Sequence, residues 1–386
     1  MLTYFSGFGQ TYFISASVSE WQAAFGLSHG EFGRLYMFAT LASAACLPFV
    51  GRLVDVVPPH RMIAVVVPAL AGAAMLAGYA SSIAVLVAAI FLLRLLGQGM
   101  MTHIALTTTG RWFVAARGRA VSLVVLGHQV AEATIPIAFV ALMIAYGYRV
   151  GWVVAAIVLL LIGLPFAYWC YLKPRVPHGQ RSAEKSALAN VRSWSRREVL
   201  RDAVFWVLLI GVLAPPFIGT TIFYHQNYLT ALHDWPAQLF ASSIVVMALT
   251  TLVCALLCGA AVDRFGSKAV LPIFLLPLSG ACFVLAYSGS EMALFVVMVL
   301  TGISYGMSST LFGSLWPEIY GLEHLGAVRS VTISAAVFAS AAGPGLTGTL
   351  IDRGFSLPTQ MSFLGVYCLL ATGALTMAVA MMRRRS

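Results

Sequence analysis

The sequence predicts an all-α integral membrane protein: about twelve transmembrane helices at roughly 20 residues per crossing, arranged as two pseudo-symmetric six-helix bundles. Three observations carry this expectation. The 386 residues are 60% hydrophobic and only 9% charged, where a soluble domain typically carries about 25% charge. The apolar runs are continuous, without the in-and-out alternation of a membrane barrel, so helices are the only spanning structure they can form. Finally, a Gly-to-Asp stretch occurs twice, Gly51 to Asp55 and Gly259 to Asp263, and each Asp is followed 81 positions later by a proline in an apolar run, Pro136 and Pro344. Matched features in two hydrophobic halves are the mark of an internal repeat.

Taken in order, the first run, Met1 to about Val18, has no basic region before it and no small-residue cleavage site after it. It is expected as a retained first helix, not a signal peptide, and its short uncharged start suggests a few residues missing ahead of it. Runs near 33–51, 62–81, 84–109, 120–146 and 151–172 complete the N-terminal bundle, 1–172. The polar stretch 173–203, with Pro174, Pro177, Gly179 and scattered Ser, Arg and Lys, is the linker. It is read as a solvated loop, with a basic surface helix around Val191 to Arg201 as the alternative. Runs near 204–230, 237–260, 270–288, 292–316, 328–350 and 359–381 form the C-terminal bundle, 204–386.

The formal charge of +10 would suit nucleic acid if the basic residues formed one patch. Instead they sort by side. The connections after the even-numbered runs, plus the tail, hold 19 of the 23 Lys and Arg, against Arg34, Arg149 and Arg353 opposite. By the positive-inside rule both termini are cytoplasmic, and the expected location is a bacterial plasma membrane (inner membrane), multi-pass. All six cysteines lie in apolar runs, which suits packing thiols better than disulfides or a metal site.

These features resemble the major facilitator superfamily (MFS) over essentially the whole chain. The second turn, Gly259 to Lys268 (GAAVDRFGSK), fits that family's pattern of Gly, Asp, Arg, Gly and a basic residue closely. The first, Gly51 to Arg61 (GRLVDVVPPHR), keeps Gly51 and Asp55 but has Val56 and Pro58 at positions where Arg and Gly are usual. Arg94, Gly97, Gln98 and Gly99, and Gly127 through Pro136, are similar to family patterns on the fourth and fifth helices. The runs RLLGQGMMTH, RWFVAARGRAVS and LWPEIYGLEHLGAVRS look most like the bacterial monocarboxylate and oxalate/formate branch, although the charged residues which that branch carries on helices 8 and 11 are missing.

Independently of the family, glycine lets helices approach closely, and an aspartate at one helix end can accept from backbone donors at the start of another. Gly51, Asp55, Gly259, Asp263, Arg264 and Gly266 are therefore gating candidates, with a locally stabilised turn as the plain alternative. Pro136 and Pro344 are paired hinge points or packing residues. The deep charges are sharper clues, since an ionisable group at mid-bilayer costs at least about 2.5–3.5 kcal/mol. Only Arg94 and Glu132 survive the loop assignment. They are expected near the same depth, as a direct or water-bridged pair, with Gln98 four residues after Arg94 and His128 four before Glu132. Arg94 would hold an anionic group and Glu132 with His128 would exchange a proton, substrate and proton competing for one partner; a purely structural ion pair is the alternative. His103 is a relay or a satisfied interface group. Pro215 and Pro216 should kink the seventh helix. Beyond them, Tyr224 to Tyr228, with His225 and Gln226, suits either an outer gate and binding wall or an ordinary helix end. Tyr4, Gln10, Thr11 and Tyr12 could line a cavity or bond between helices.

The function expected is secondary active transport of a small organic solute, an organic anion preferred, by alternating access and coupled to protons. The protein would be a monomer in the lipid bilayer, with no cofactor beyond the proton gradient, no nucleic acid partner and no enzymatic activity. Export of lipophilic cations with Glu132 as the cation site is one alternative; a sensor that kept the fold without transport is another.

Overall fold

The computed structural model describes residues 1–51, 53–112, 117–173, 194–321 and 325–383. The side chains of Asp55 and Asp263 lie outside the description, as does most of the linker. Among the described residues all regular structure is helical, and ten helices are long and apolar enough to cross a bilayer.

Three segments expected as spans are interrupted. The first runs on to Phe25 but in pieces: Leu2–Phe5, a 3₁₀ turn Ser6–Gly9, Thr11–Ile14, a second 3₁₀ turn Ser15–Ser17, and Val18–Phe25. The single helix expected to Val18 is broken because Gln10 is extended, at φ −87° and ψ 156°. Two glycines, Gly7 and Gly9, precede that break and give the helix little intrinsic support. The ninth span is a short helix, Leu276–Tyr287, preceded by one turn, Ser267–Val270. The seventh differs in another way. It continues through Pro215 and Pro216 as Ala203–Tyr224 and breaks at His225, where Gln226–Leu232 begins. The Pro215 carbonyl accepts from the Tyr305 hydroxyl at 3.1 Å, which ties this helix to Glu291–Tyr320.

The chain forms two compact units that do not follow the 172/204 boundary. The first contains Met1–Arg181 together with Phe223–Val245 and Pro344–Asp352, and the second contains the remainder. In the first unit, an aromatic core gathers Phe13, Trp21, Phe139 and Trp152, with Trp21 and Trp152 stacked at 5.6 Å. Both indole N–H groups are satisfied, Trp21 by the Ala77 carbonyl and Trp152 by the Ser17 hydroxyl, each at 3.1 Å. In the second unit, Leu276–Tyr287 packs against Glu291–Tyr320 and Leu357–Arg383, pinned by Ser279 donating to the Gly365 carbonyl at 2.9 Å. Of the basic linker, Arg196–Arg201 is a helix, started by a reciprocal cap between Ser195 and Glu198.

Candidate functional site in the first unit

The site begins with the break in the first helix. Where Gln10 leaves helical geometry, nearby backbone groups lose intrahelical partners, and in a membrane these must be satisfied by neighbours. Arg94 supplies one: its Nη1 donates to the Thr11 hydroxyl at 3.2 Å and reaches the Gly9 carbonyl at 3.5 Å. Arg94 sits in a π-helical stretch, Leu93–Met101, inside an otherwise α-helical span, a local widening common at functional sites. The two backbones meet so closely that a Cβ at Gly9 would lie 2.8 Å from the Gly97 Cα, so glycine is required at both positions.

Two hydroxyl-bearing side chains, Thr11 and Tyr36, stand at the guanidinium, with Tyr224 behind Tyr36, and the sequence reading did not join them to it. Thr11 and Tyr36 share a hydrogen bond of 2.8 Å, Arg94 lies 5.7 Å from the Tyr36 ring centre, and the Tyr36 and Tyr224 rings are 5.0 Å apart. Arg94 is 2% exposed. Its Nε and the Tyr224 hydroxyl are buried without a hydrogen-bond partner.

Glu132 is also buried, at 6% exposure, on the helix Arg117–Tyr146. The direct pair expected between it and Arg94 does not form. No ion pair joins them among the described residues, because the guanidinium turns toward the first helix, where the break offers a carbonyl and a hydroxyl. A second polar group instead gathers near Glu132. His128 is four residues away along the helix, the Tyr12 ring is 6.4 Å from His128, and the Tyr12 hydroxyl and the Gln129 side-chain oxygen are buried without partners.

The other predicted residues fall elsewhere. Gln98 is half-buried on the Arg94 stretch. His103 backs onto Gly51, where a Cβ would come 3.3 Å from its Nε2. His225 bonds Thr347 at 2.9 Å, and Gln226 donates to the Ser15 hydroxyl at 2.9 Å and the Tyr12 carbonyl at 3.4 Å. These two hold helices together. Gly33 packs on Pro344, where a Cβ would lie 3.0 Å from the proline carbonyl carbon. Gly266, at φ +80°, ends the helix Ala237–Phe265, with its N–H bonded to the Val262 carbonyl at 2.8 Å. Arg264 lies over the Phe265 ring at 5.2 Å.

Two carboxylates that the sequence reading did not single out, Asp352 and Glu318, make helix-end contacts of the kind expected of Asp55 and Asp263. Asp352 accepts from the Ser28 hydroxyl at 2.7 Å and from the Gly30 N–H at 2.9 Å, at the start of the helix His29–Gly51. Glu318 accepts from the hydroxyl and the N–H of Ser267. Only their position at a helix end could have flagged them. In the second unit, Pro215 and Pro216 line a cavity of about 460 Å³ with Ser308, Ser309 and Thr332.

Apolar spanning helices, an interrupted first span and ionisable groups buried in the first unit define a multi-pass membrane protein of the transporter kind. Sequence comparison specifies the class: a model of the Major Facilitator Superfamily matches residues 1–344 and again 219–386, and the chain belongs to that family. No curated protein matched. Solved structures share the fold at low identity. A bacterial homolog of the human lysosomal transporter Spinster, inward-facing and unoccupied, aligns with a TM-score of 0.70 and 16% identity over 99% of this chain and 93% of that one. The nucleoside transporter NupG, as a point mutant, aligns at 0.69 and 12% over 99% and 98%.

Proposed function

We propose that the protein is a proton-coupled secondary transporter that carries a small organic anion, a monocarboxylate being the simplest fit, by alternating access. In this reading it is a monomer with twelve spans and both termini cytoplasmic, set in a bacterial inner membrane and driven by the proton gradient without a cofactor. The observation that supports the anion is Arg94. A buried guanidinium whose hydrogen-bond partners are a carbonyl and a hydroxyl, with Nε unused, retains its charge. Such a charge is costly until an anion joins it.

Glu132 gives the proton half of the argument. With no cation paired to it among the described residues, a buried carboxylate is best tolerated protonated. Loading the protein with one anion at Arg94 and one proton at Glu132 therefore leaves neither buried charge uncompensated, and in this reading His128 and Tyr12 pass the proton. Coupling then follows from charge balance at two separate groups and needs no competition for a shared partner. Gly51, Asp55, Gly259, Asp263, Arg264 and Gly266, with the hinge prolines Pro136, Pro215, Pro216 and Pro344, are assigned to the conformational change.

The test is uptake into proteoliposomes across carboxylates, sugars, nucleosides, amino acids and cationic dyes, with and without a pH gradient. Gradient-stimulated uptake of a carboxylate is expected, falling at least about tenfold in Arg94→Lys, since an ammonium cannot reproduce the guanidinium fork. Uptake confined to neutral or cationic solutes would refute the proposal.

A further inference from the structure

A second cavity, of about 360 Å³, lies wholly within the first unit and away from Arg94 in composition: its wall carries Glu20 and Ser19 from the end of the first helix, Gln226, Asn227 and Thr230, and the ring of Phe240. Glu20 is the only charged residue on that wall. Its Oε2 is buried without a hydrogen-bond partner, so the carboxylate charge is poorly screened.

Of the neighbouring polar groups, Gln226, Asn227 and Thr230 have already spent their donors. The Gln226 amide N–H groups go to Ser15 and the Tyr12 carbonyl, those of Asn227 to the Ser15 and Ala16 carbonyls, and the Thr230 hydroxyl to the Asn227 carbonyl. The side chains keep acceptor capacity and one negative charge. An anion would be repelled there. A bare metal ion needs oxygens converging at about 2.5 Å, which a space of this size does not impose. A compact cation with an apolar body fits both the charge and the volume.

We propose that this cavity binds a small organic ammonium cation, with Glu20 as its counter-charge. Because its wall includes both the first helix and the Gln226 segment already bonded to it, an occupant also stabilises that packed arrangement over any in which the two separate.

The experiment is titration calorimetry on the full-length protein in zwitterionic nanodiscs, using choline and its neutral isostere 3,3-dimethyl-1-butanol. Saturable choline binding is expected, with none by the isostere, and affinity should fall at least tenfold in Glu20→Gln while Glu20→Asp retains binding. Ala237→Phe, which narrows the cavity from its exposed edge, should also lose binding, so the proposal stays testable if Glu20→Gln fails to fold. Equal binding of the isostere, undiminished binding by folded Glu20→Gln, or no saturable choline binding by the wild type would overturn it.

Discussion

Arg94 and Glu132 each carry an ionisable group into a buried setting, and the bilayer makes both expensive, at least about 2.5–3.5 kcal/mol apiece if charged at mid-depth. If Arg94 is kept to bind an anion, removing its charge should relieve a desolvation cost that offsets the bonds lost to Gly9 and Thr11. Arg94→Met is expected to abolish carboxylate uptake while leaving the melting temperature unchanged or raised; a collapse in melting temperature would mark Arg94 as structural. In Glu132→Gln, exchange of anion for anion should persist while accumulation driven by a pH gradient disappears, measured with labelled substrate. The burial of these two groups was legible because no other charges survive inside the apolar runs. Their partners were not. Arg94 bonds the carbonyl of Gly9 and the hydroxyl of Thr11, and neither a freed carbonyl nor a Thr in an apolar run leaves a periodic signal.

At the scale of the element, the broken first helix sets the geometry of the site, and its close contact with the π stretch around Gly97 makes that geometry rigid. Gly97→Val should overpack this contact at a cost of about 1–3 kcal/mol, lowering the melting temperature and carboxylate uptake together. Gly72→Ala is the control, since a Cβ there meets nothing within 4 Å, and its stability should be equal or higher by about 0.5–1 kcal/mol. Equal melting temperatures for the two variants would refute the close-contact argument. Apolar length located the ten clear spans to within a few residues. It could not locate the break at Gln10, which depends on glycines meeting across two helices, nor the one at His225, because Pro215 and Pro216 gave the stronger local signal.

At the scale of the whole molecule, the two halves of the sequence share more than a duplicated pattern, since the first unit takes in Phe223–Val245 and Pro344–Asp352. Asp352 fastens one of these returning segments to the start of the helix His29–Gly51. If this is a latch that opens during transport, Asp352→Asn should increase maleimide labelling of a cysteine placed at Thr349 in a cysteine-free background; unchanged labelling would rule the latch out. The repeated glycines, aspartates and prolines gave the expectation of two halves, whereas the returning segments left no such signal, because helix ends from different halves meet only in three dimensions. The central claim is that an anion at Arg94 and a proton at Glu132 travel together. It is tested most directly by recording internal pH in proteoliposomes, at clamped membrane potential, when a transported carboxylate is added outside. The wild type should acidify the interior as substrate enters, and Glu132→Gln should not, although it still exchanges labelled for unlabelled anion. Acidification by Glu132→Gln equal to that of the wild type would contradict the account.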